Sequence, residues 1–290
     1  MNIAVLGCSG AMGGFFTRYF LRKGNKVIGI DPARARLRNK LFRYAGMDYD
    51  SIESVDAALV AVPMESTLDT IKTAMMHMKK GRVIIEISSL KKFLHDQLKM
   101  LEVGSFTIVS LHPLFGQSLK SPNDGTIAIT PFKDKKSEVR TANMLFPDFR
   151  FRLISPSKHD EAMSLVISLT HAINVAYAKM LCSTKKPELL GLITPIAGTQ
   201  FVISRAVLSQ SPRLIAQLQC RNKYTAKTLN FFAKVVEEIA DKARKGQEQD
   251  IEREIASLKD TSQDLLSYEA VYKAELWRII HTMSKKLYNE

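Results

Sequence analysis

Two short polar segments, each placed directly after an apolar run, could bring catalytic groups together in this chain. Ser88 and Ser89 follow the apolar run 83–87, and His112 follows the run 106–111. Such runs predict β-strands, and open parallel sheets bind ligands beyond the carboxyl ends of their strands. We therefore expect the two hydroxyls and the imidazole to face one cleft. Taken alone, the serines are better explained as helix caps and His112 as a hydrogen-bonded loop residue, so the rest of the chain must support the site.

A glycine turn near the N-terminus is typical of a dinucleotide site. The run 3–6 predicts a strand and residues 15–21 predict a helix, with the pattern G-x-x-G-x-x-G between them. In this context glycines let the backbone approach a pyrophosphate at the helix N-terminus. The spacing before the second glycine is one residue longer than in the usual fingerprint, so the flanking strand and helix carry the prediction. The predicted cofactor contacts are Gly7, Ser9, Gly10, Ala11, Met12 and Gly13, with Val62 and Pro63 at the end of a later strand.

Asp31 bears on which dinucleotide binds. It ends the second apolar run, 26–30, where an acidic side chain accepts hydrogen bonds from the adenosine ribose hydroxyls. A carboxylate repels a 2′-phosphate, so the sequence favours NAD over NADP. Arg34 and Arg36 follow closely and either could reach a phosphate, which leaves NADP open. Alternatively, Asp31 has only a structural role, as a turn residue ahead of Pro32.

The order of predicted elements indicates two domains. Strands and helices alternate over about 150 residues, which predicts an α/β fold with a doubly wound parallel sheet. Ser155 to Ser157 mark a boundary, and only helical periodicity follows it. We expect a dinucleotide-binding domain over 1–154 and an all-helical substrate-binding and dimerisation domain over 155–290. The predicted strands are 3–6, 26–30, 56–62, 83–87, 106–111, 126–130 and 149–153.

Composition narrows the classes of function. The 290 residues carry a net charge of +13, but the basic residues are dispersed and form no nucleic-acid-binding motif. Three separated cysteines predict neither disulfides nor a metal site. No run has the length of a membrane span and no signal peptide is evident, so we expect a cytoplasmic protein. The helix predicted over 160–181 is apolar nearly all round and should be buried, in part by a second subunit of a homodimer.

Taken together, the motifs resemble the prephenate dehydrogenase family over nearly the whole chain. The resemblance rests on six segments in register, each weak alone. They are the glycine turn 7–13, Ser88-Ser89-Leu90-Lys91, His112-Pro113-Leu114-Phe115-Gly116, His159-Asp160, Thr170-His171-Ala172, and Ser204-Arg205 followed by Ser211-Pro212.

The resemblance implies a Rossmann domain, a helical domain and a specific reaction. Members of this family transfer a hydride from C4 of prephenate to NAD, and the ring carboxylate leaves as the ring becomes aromatic. The product is 4-hydroxyphenylpyruvate, an intermediate of tyrosine biosynthesis. The oxidised intermediate is a vinylogous β-keto acid that loses carbon dioxide without a metal. The protein therefore needs a base, an orienting group and a carboxylate clamp.

The resemblance also assigns roles to residues. His112 is expected to accept the C4 hydroxyl proton, with Ser89 as its catalytic partner and Ser88 as the less favoured of the two serines. Arg205 is expected to bind a substrate carboxylate, and His171 to lie near the substrate. Without the resemblance, Arg205 reads as an exposed helix arginine and His171 as a core histidine.

Other positions are given lesser roles. In one continuous helix, His159 would lie roughly 18 Å from His171, so we expect His159 and Asp160 to serve a structural or cofactor-edge role, or to cap a helix. His77, His95 and His281 match no motif and are expected on the surface. Ser211 and Ile215 stand where the family often has an aspartate and an aromatic residue, which affects the fine geometry of the pocket. We also expect a monofunctional enzyme with at most weak tyrosine feedback.

Three alternatives remain open at this point. Arogenate dehydrogenase accepts an amine where prephenate has a keto group, and the sequence does not distinguish the two. Dehydrogenases of the β-hydroxyacid or ketopantoate type share the two-domain plan, but they usually depend on a lysine in the helical domain. A nicotinamide-binding sensor without catalysis would bind the dinucleotide and show no turnover.

Overall fold

The computed structural model describes residues 1–184, 192 and 194–261 and divides the chain into two compact units. The first unit spans Met1–Ala162 and the second spans Met163–Glu290. The sequence analysis places the domain boundary between residues 154 and 155. The two boundaries differ because the helix that begins at Pro156 forms hydrogen bonds with the first unit and is counted with it.

The first unit contains an eight-stranded sheet, with the strand order β3-β2-β1-β4-β5-β6-β7-β8. Strands β1 to β6 are parallel, whereas β7 pairs antiparallel with β6 and β8 pairs parallel with β7. The strands are β1 (Asn2–Leu6), β2 (Lys26–Ile30), β3 (Phe42–Tyr44), β4 (Ala57–Val60), β5 (Val83–Glu86), β6 (Thr107–Pro113), β7 (Thr126–Ile129) and β8 (Arg150–Leu153).

The predicted fold class is confirmed, with two differences in detail. The sequence analysis missed β3, because three half-exposed or exposed residues at a sheet edge carry little apolar signal. The reversal at β7 was also missed, since apolar runs indicate strands and not their direction. The reversal extends the ladder past the parallel part of β6, so that His112 pairs with Ala128.

Helices cover both faces of this sheet and explain why its central strands are apolar throughout. On one face, Val5, Ile85 and Val109 belong to a core that includes aromatic residues of α1 and apolar residues of α4. On the other face, Leu6, Ala58 and Ile84 pack with apolar residues of α2 and α3. Strands buried on both sides lose the alternation of polar and apolar residues. The four helices are α1 (Ala11–Arg22), α2 (Thr67–His77), α3 (Lys92–Met100) and α4 (Lys135–Leu145).

Beyond β8 the described residues form helices. A continuous helical stretch consists of α5 (Pro156–Met163), a π-helical segment (Ser164–Leu169) and α6 (Thr170–Thr184). It is followed by α7 (Pro195–Leu208), α8 (Pro212–Arg221), α9 (Thr225–Arg244) and α10 (Glu248–Thr261).

The apolar helix expected to be buried is largely exposed in the single chain. By length and composition Pro156–Ser183 could cross a membrane, yet only 22% of its most apolar window is buried. Leu165, Val166 and Met180 are each more than half exposed. The prediction relied on a second subunit for part of this burial, so it stays a prediction for a dimer.

Candidate active site

The ends of β5 and β6 place the predicted serines and histidine at one edge of the sheet. Glu86 of β5 pairs with Ser110 of β6. Ser88 and His112 therefore each lie two residues further along neighbouring parallel strands. His112 is 5% exposed, and Ser88 and Ser89 are half-buried.

A chain of two hydrogen bonds connects His112 to a carboxylate on α5. His112 Nδ1 lies 2.9 Å from His159 Nε2, and His159 Nδ1 lies 2.8 Å from Asp160 Oδ1. The side chains of His159 and Asp160 are almost completely buried. We call His112, His159 and Asp160 the histidine relay.

The chemistry of the acceptor fixes the protons of the relay. An ionised carboxylate only accepts hydrogen bonds, so His159 Nδ1 must donate to Asp160. In neutral His159 the other nitrogen, Nε2, then accepts from His112 Nδ1. His112 is left with a lone pair on Nε2, which is the form that a general base requires.

Asp160 also holds the relay to the loop after β5. Its Oδ1 accepts from the backbone amide of Lys91 and its Oδ2 from that of Lys92, both at 2.9 Å. These amides lie at the start of α3, where helix N–H groups lack partners within the helix. The helix cap that the sequence analysis offered as an alternative for this pair is therefore present, and it coexists with the contact between His159 and His112.

The surroundings of His112 keep it neutral. Burial lowers the pKa of His112 well below its ordinary value of 6.5, and the charge of Lys91 lowers this pKa further. A neutral imidazole with one nitrogen fixed as a donor is suited to accept a proton from a bound hydroxyl at neutral pH.

Ser88 and Ser89 differ in the hydrogen bonds of their side chains. Ser88 Oγ lies 3.2 Å from Thr67 Oγ1, and the Ser88 backbone amide donates to Glu86. Ser89 makes no side-chain hydrogen bond within the described part of the chain. Its hydroxyl is therefore the one available to a ligand, which favours Ser89 over Ser88.

The glycine turn is packed as a dinucleotide cradle requires. A Cβ on Gly13 would lie 1.9 Å from the Gly7 carbonyl oxygen, and one on Gly7 would lie 2.4 Å from that of Ala61. Gly7 also has a φ of +89°, a conformation that favours glycine. Val62 adjoins Gly7 on this side. No side chain caps α1, so its N-terminal amides are available to a phosphate.

Asp31 connects the glycine turn to the end of β2. Its Oδ2 accepts from the Ser9 amide at 3.0 Å and its Oδ1 accepts from the Ala33 amide at 2.8 Å. A cavity of about 410 Å³ adjoins the turn, and its lining includes Arg18, Arg34 and Arg36. The turn, the helix N-terminus and this cavity together fit a dinucleotide.

The second unit has a polar contact between α6 and α7 beside two further predicted residues. Asn174 Oδ1 accepts from Gln200 Nε2 and Ser204 Oγ, each at 2.9 Å. His171, one turn before Asn174, is 8% exposed, and its Nδ1 has no partner in the described residues. Burial lowers the pKa of His171. Arg205 follows the buried Ser204 and is exposed on α7.

Several expectations for histidines change in the structure. His159, given a structural or cofactor-edge role, instead contacts His112 directly. Its separation from His171 along one helix excluded a shared contact with a small substrate, but it had no bearing on residues from other elements. His95, expected on the surface, is 2% exposed and bonds Ser110 Oγ and Thr130 Oγ1. His77 is partly exposed and bonds Asp50, and His281 lies outside the described residues.

Within the described ranges, no group of three histidine, cysteine or acidic residues could hold a metal ion.

Comparison with protein families gives two matches. Residues 16–142 match the model described as "Prephenate dehydrogenase, nucleotide-binding domain", and residues 155–257 match "Prephenate dehydrogenase, dimerization domain". Together the matches cover most of the chain and support the resemblance drawn from its motifs.

Two curated proteins are similar in sequence. A probable arogenate/prephenate dehydrogenase of Methanocaldococcus jannaschii is 25% identical over 251 residues, which cover 83% of this chain and 56% of that protein. The T-protein of Haemophilus influenzae is 22% identical over 222 residues, which cover 75% of this chain and 55% of that protein. The chain thus spans little more than half the length of these relatives.

Two solved structures share the fold. The prephenate dehydrogenase of A. aeolicus, in complex with hydroxyphenyl propionate and NAD+, has a TM-score of 0.73 and 18% identity, covering 91% of this chain and 98% of that one. The arogenate dehydrogenase of Synechocystis has a TM-score of 0.69 and 18% identity, covering 91% of this chain and all of the other.

Proposed function

Since the chain belongs to the prephenate dehydrogenase family, we propose that it converts prephenate to 4-hydroxyphenylpyruvate by oxidative decarboxylation, with NAD as the hydride acceptor. The observation that carries this proposal is the histidine relay, which leaves His112 neutral, oriented and with a lone pair on Nε2. The glycine turn and the uncapped N-terminus of α1 support the dinucleotide. Asp31 favours NAD.

The reaction needs few groups from the protein. His112 Nε2 takes the proton of the C4 hydroxyl as the C4 hydrogen leaves as hydride, and bound NAD supplies the acceptor for that hydride. The C4 ketone then draws the electrons of the breaking bond between the ring and its carboxylate, and carbon dioxide leaves. The oxygen takes back a proton as the ring becomes aromatic. The proton on His112 is placed to supply it.

The relay has a defined part in this proposal. When His112 accepts a proton it becomes a cation in a buried site, which is costly unless a negative charge compensates it. His159 accepts from His112 Nδ1 and donates to Asp160, so the carboxylate stabilises the new charge through one intervening ring. The relay also prevents rotation of His112, which orients Nε2.

Ser89 and two residues of the second unit complete the proposal. Ser89, whose hydroxyl has no partner in the described ranges, lies at the same sheet edge and is suited to bind the C4 oxygen. Arg205 presents a planar donor that can bind a carboxylate with two hydrogen bonds. His171 Nδ1 is buried without a partner among the described residues, and a polar substrate group would satisfy it.

Arogenate is the second candidate substrate. It carries the same ring alcohol and ring carboxylate, so the relay would act on it in the same way. The similarity to the M. jannaschii protein and to the Synechocystis enzyme favours keeping it beside prephenate.

The function is tested by reduced-nicotinamide formation with the purified chain. Prephenate and arogenate are each offered with NAD and with NADP, and we expect turnover with prephenate and NAD. Preference for arogenate would correct the substrate only. Absence of turnover in all four combinations, with NAD still bound in a fluorescence titration, would leave the sensor alternative as the explanation.

His112→Asn tests the proposed base. We expect kcat to fall by about 10²–10⁴-fold, the usual contribution of a general base, with little change in NAD affinity. His77→Asn, a partly exposed histidine at the end of α2, is the matched control. In the wild type, kcat/KM should still be constant at pH 6.5 and should decrease only well below that pH, because burial lowers the pKa of His112 and the neutral form is the active one. Normal turnover by His112→Asn would move the base elsewhere.

Arg205→Gln tests the carboxylate clamp. Loss of a charged donor to a substrate carboxylate should raise KM for the substrate by about 10-fold or more and change kcat less. Arg221→Gln, at the end of α8 in the same unit, should leave KM unchanged. An unchanged KM in Arg205→Gln would exclude Arg205 as the clamp.

We also expect a homodimer through the helical unit. Its matched family model is described as a dimerization domain, and α7 exposes the apolar residues Ile196, Phe201 and Val202. A second copy could cover these side chains. Sedimentation velocity at micromolar concentration should give twice the chain mass of 32.6 kDa. A particle of the single mass at all concentrations would exclude the dimer.

A further inference from the structure

A fully buried ion pair lies next to the histidine relay and takes no part in the proposed chemical steps. The side chains of Lys91 and Glu86 are 0% exposed, and Lys91 Nζ lies 2.7 Å from Glu86 Oε1. The same ammonium donates to the backbone carbonyl of Leu111, the residue before His112.

Lys91 also reaches the other end of the relay. Its backbone amide donates to Asp160 Oδ1 at 2.9 Å, and that same oxygen accepts from His159 Nδ1. One residue thus contacts the strand that carries His112 and the carboxylate that orients His159. We propose that Lys91 is a positioning residue of the site, an inference that rests on the proposed function. Its ammonium fixes the end of β6, and its backbone amide fixes Asp160.

Glu86 is arranged to keep this ammonium charged. Its Oε1 accepts from Lys91 and from Ser110 Oγ, and its Oε2 accepts from the Ser88 amide at 2.8 Å. Ser110 Oγ in turn lies 2.8 Å from Thr130 Oγ1. A carboxylate with three donors stays ionised inside a protein far more readily than an unpaired one. Glu86 therefore acts on the site through Lys91.

A buried ion pair adds little to the free energy of unfolding compared with apolar side chains of similar volume. Removing two charges from water costs about as much as their attraction returns, and apolar replacements of similar volume are often neutral or stabilising. The bond to the Leu111 carbonyl is different, because an apolar side chain cannot make it. The effect of Lys91 on position can thus be separated from its effect on folding.

Burial is the main cause of the lowered pKa of His112, and the charge of Lys91 lowers this pKa further. The charged or titratable groups around His112 are Lys91 at the start of α3, His159 and Asp160 on α5, and Glu86 on β5. The positive charge of Lys91 disfavours protonation of His112, so its removal should raise the pKa of His112. Without Lys91, the base would be both less well fixed and protonated at higher pH.

Lys91→Met and Lys99→Met form a matched pair. Lys91→Met keeps the backbone amide that donates to Asp160, so it removes only the ammonium. Lys99 is exposed in the last turn of α3 and is not part of the relay. Because Lys91→Met leaves Glu86 buried without its partner, the double variant Glu86→Gln, Lys91→Met is made in parallel and removes both charges.

Two measurements are made on each full-length variant. The first is NMR titration of His112 without substrate or cofactor, with the resonance assigned by its loss in His112→Asn. The second is kcat and KM for the substrate, with NAD affinity by fluorescence. In both Lys91 variants we expect the His112 titration to move to higher pH. We expect kcat to fall by about 10-fold or more, as misplaced catalytic groups do, with KM and NAD affinity within about threefold. Lys99→Met should match the wild type.

The outcomes separate this inference from the proposed function. If the wild type turns over neither substrate but the His112 titration moves in the Lys91 variants, the proposed function fails and the contact between Lys91 and the relay stands. If the wild type is active and the folded double variant keeps the wild-type titration and kcat, Lys91 is not a positioning residue. A loss of NAD affinity equal to the loss of kcat would also overturn the inference, because it would indicate general disruption of the domain.

Discussion

The candidate site depends on the carboxylate of Asp160, which has hydrogen bonds from three donors on two elements. The amides of Lys91 and Lys92 supply two, and the ring of His159 supplies the third. The two amides fix the carboxylate at the start of α3. The ring of His159 bonds both this carboxylate and His112, and so it fixes the position of His112. The orientation of the proposed base therefore depends on this carboxylate.

The sheet explains how residues so distant in sequence meet. Parallel pairing of β5 and β6 brings the segments after Glu86 and Ser110 side by side. The reversed strand β7 then pairs with the end of β6, which continues the ladder through His112. His112 is thereby a strand residue rather than a loop residue, and its ring is buried against His159. A loop would hold the same ring less firmly.

The sequence predicts those parts of the structure that local patterns encode. Apolar runs that end in Ser88 and His112 predict neighbouring strand ends, and the glycine turn predicts the first βα unit. The role of His159 in the relay was missed because its partner lies on another element, and spacing along one helix carries no information about that partner. Lys91 was visible only as part of a motif. Its burial beside Glu86 depends on tertiary packing, which the amino-acid types alone would not suggest, since lysine is rarely buried.

The polar groups around His112 differ from His171 in how they are satisfied. Glu86, Lys91 and Asp160 are buried with their hydrogen-bonding partners within the chain. His171 Nδ1 is buried without a partner among the described residues, and Arg205 is exposed. Buried polar groups without partners cost free energy, which a bound ligand can recover. The groups that hold His112 are thus fixed by contacts within the chain, whereas a ligand that formed a hydrogen bond with His171 would recover such a cost.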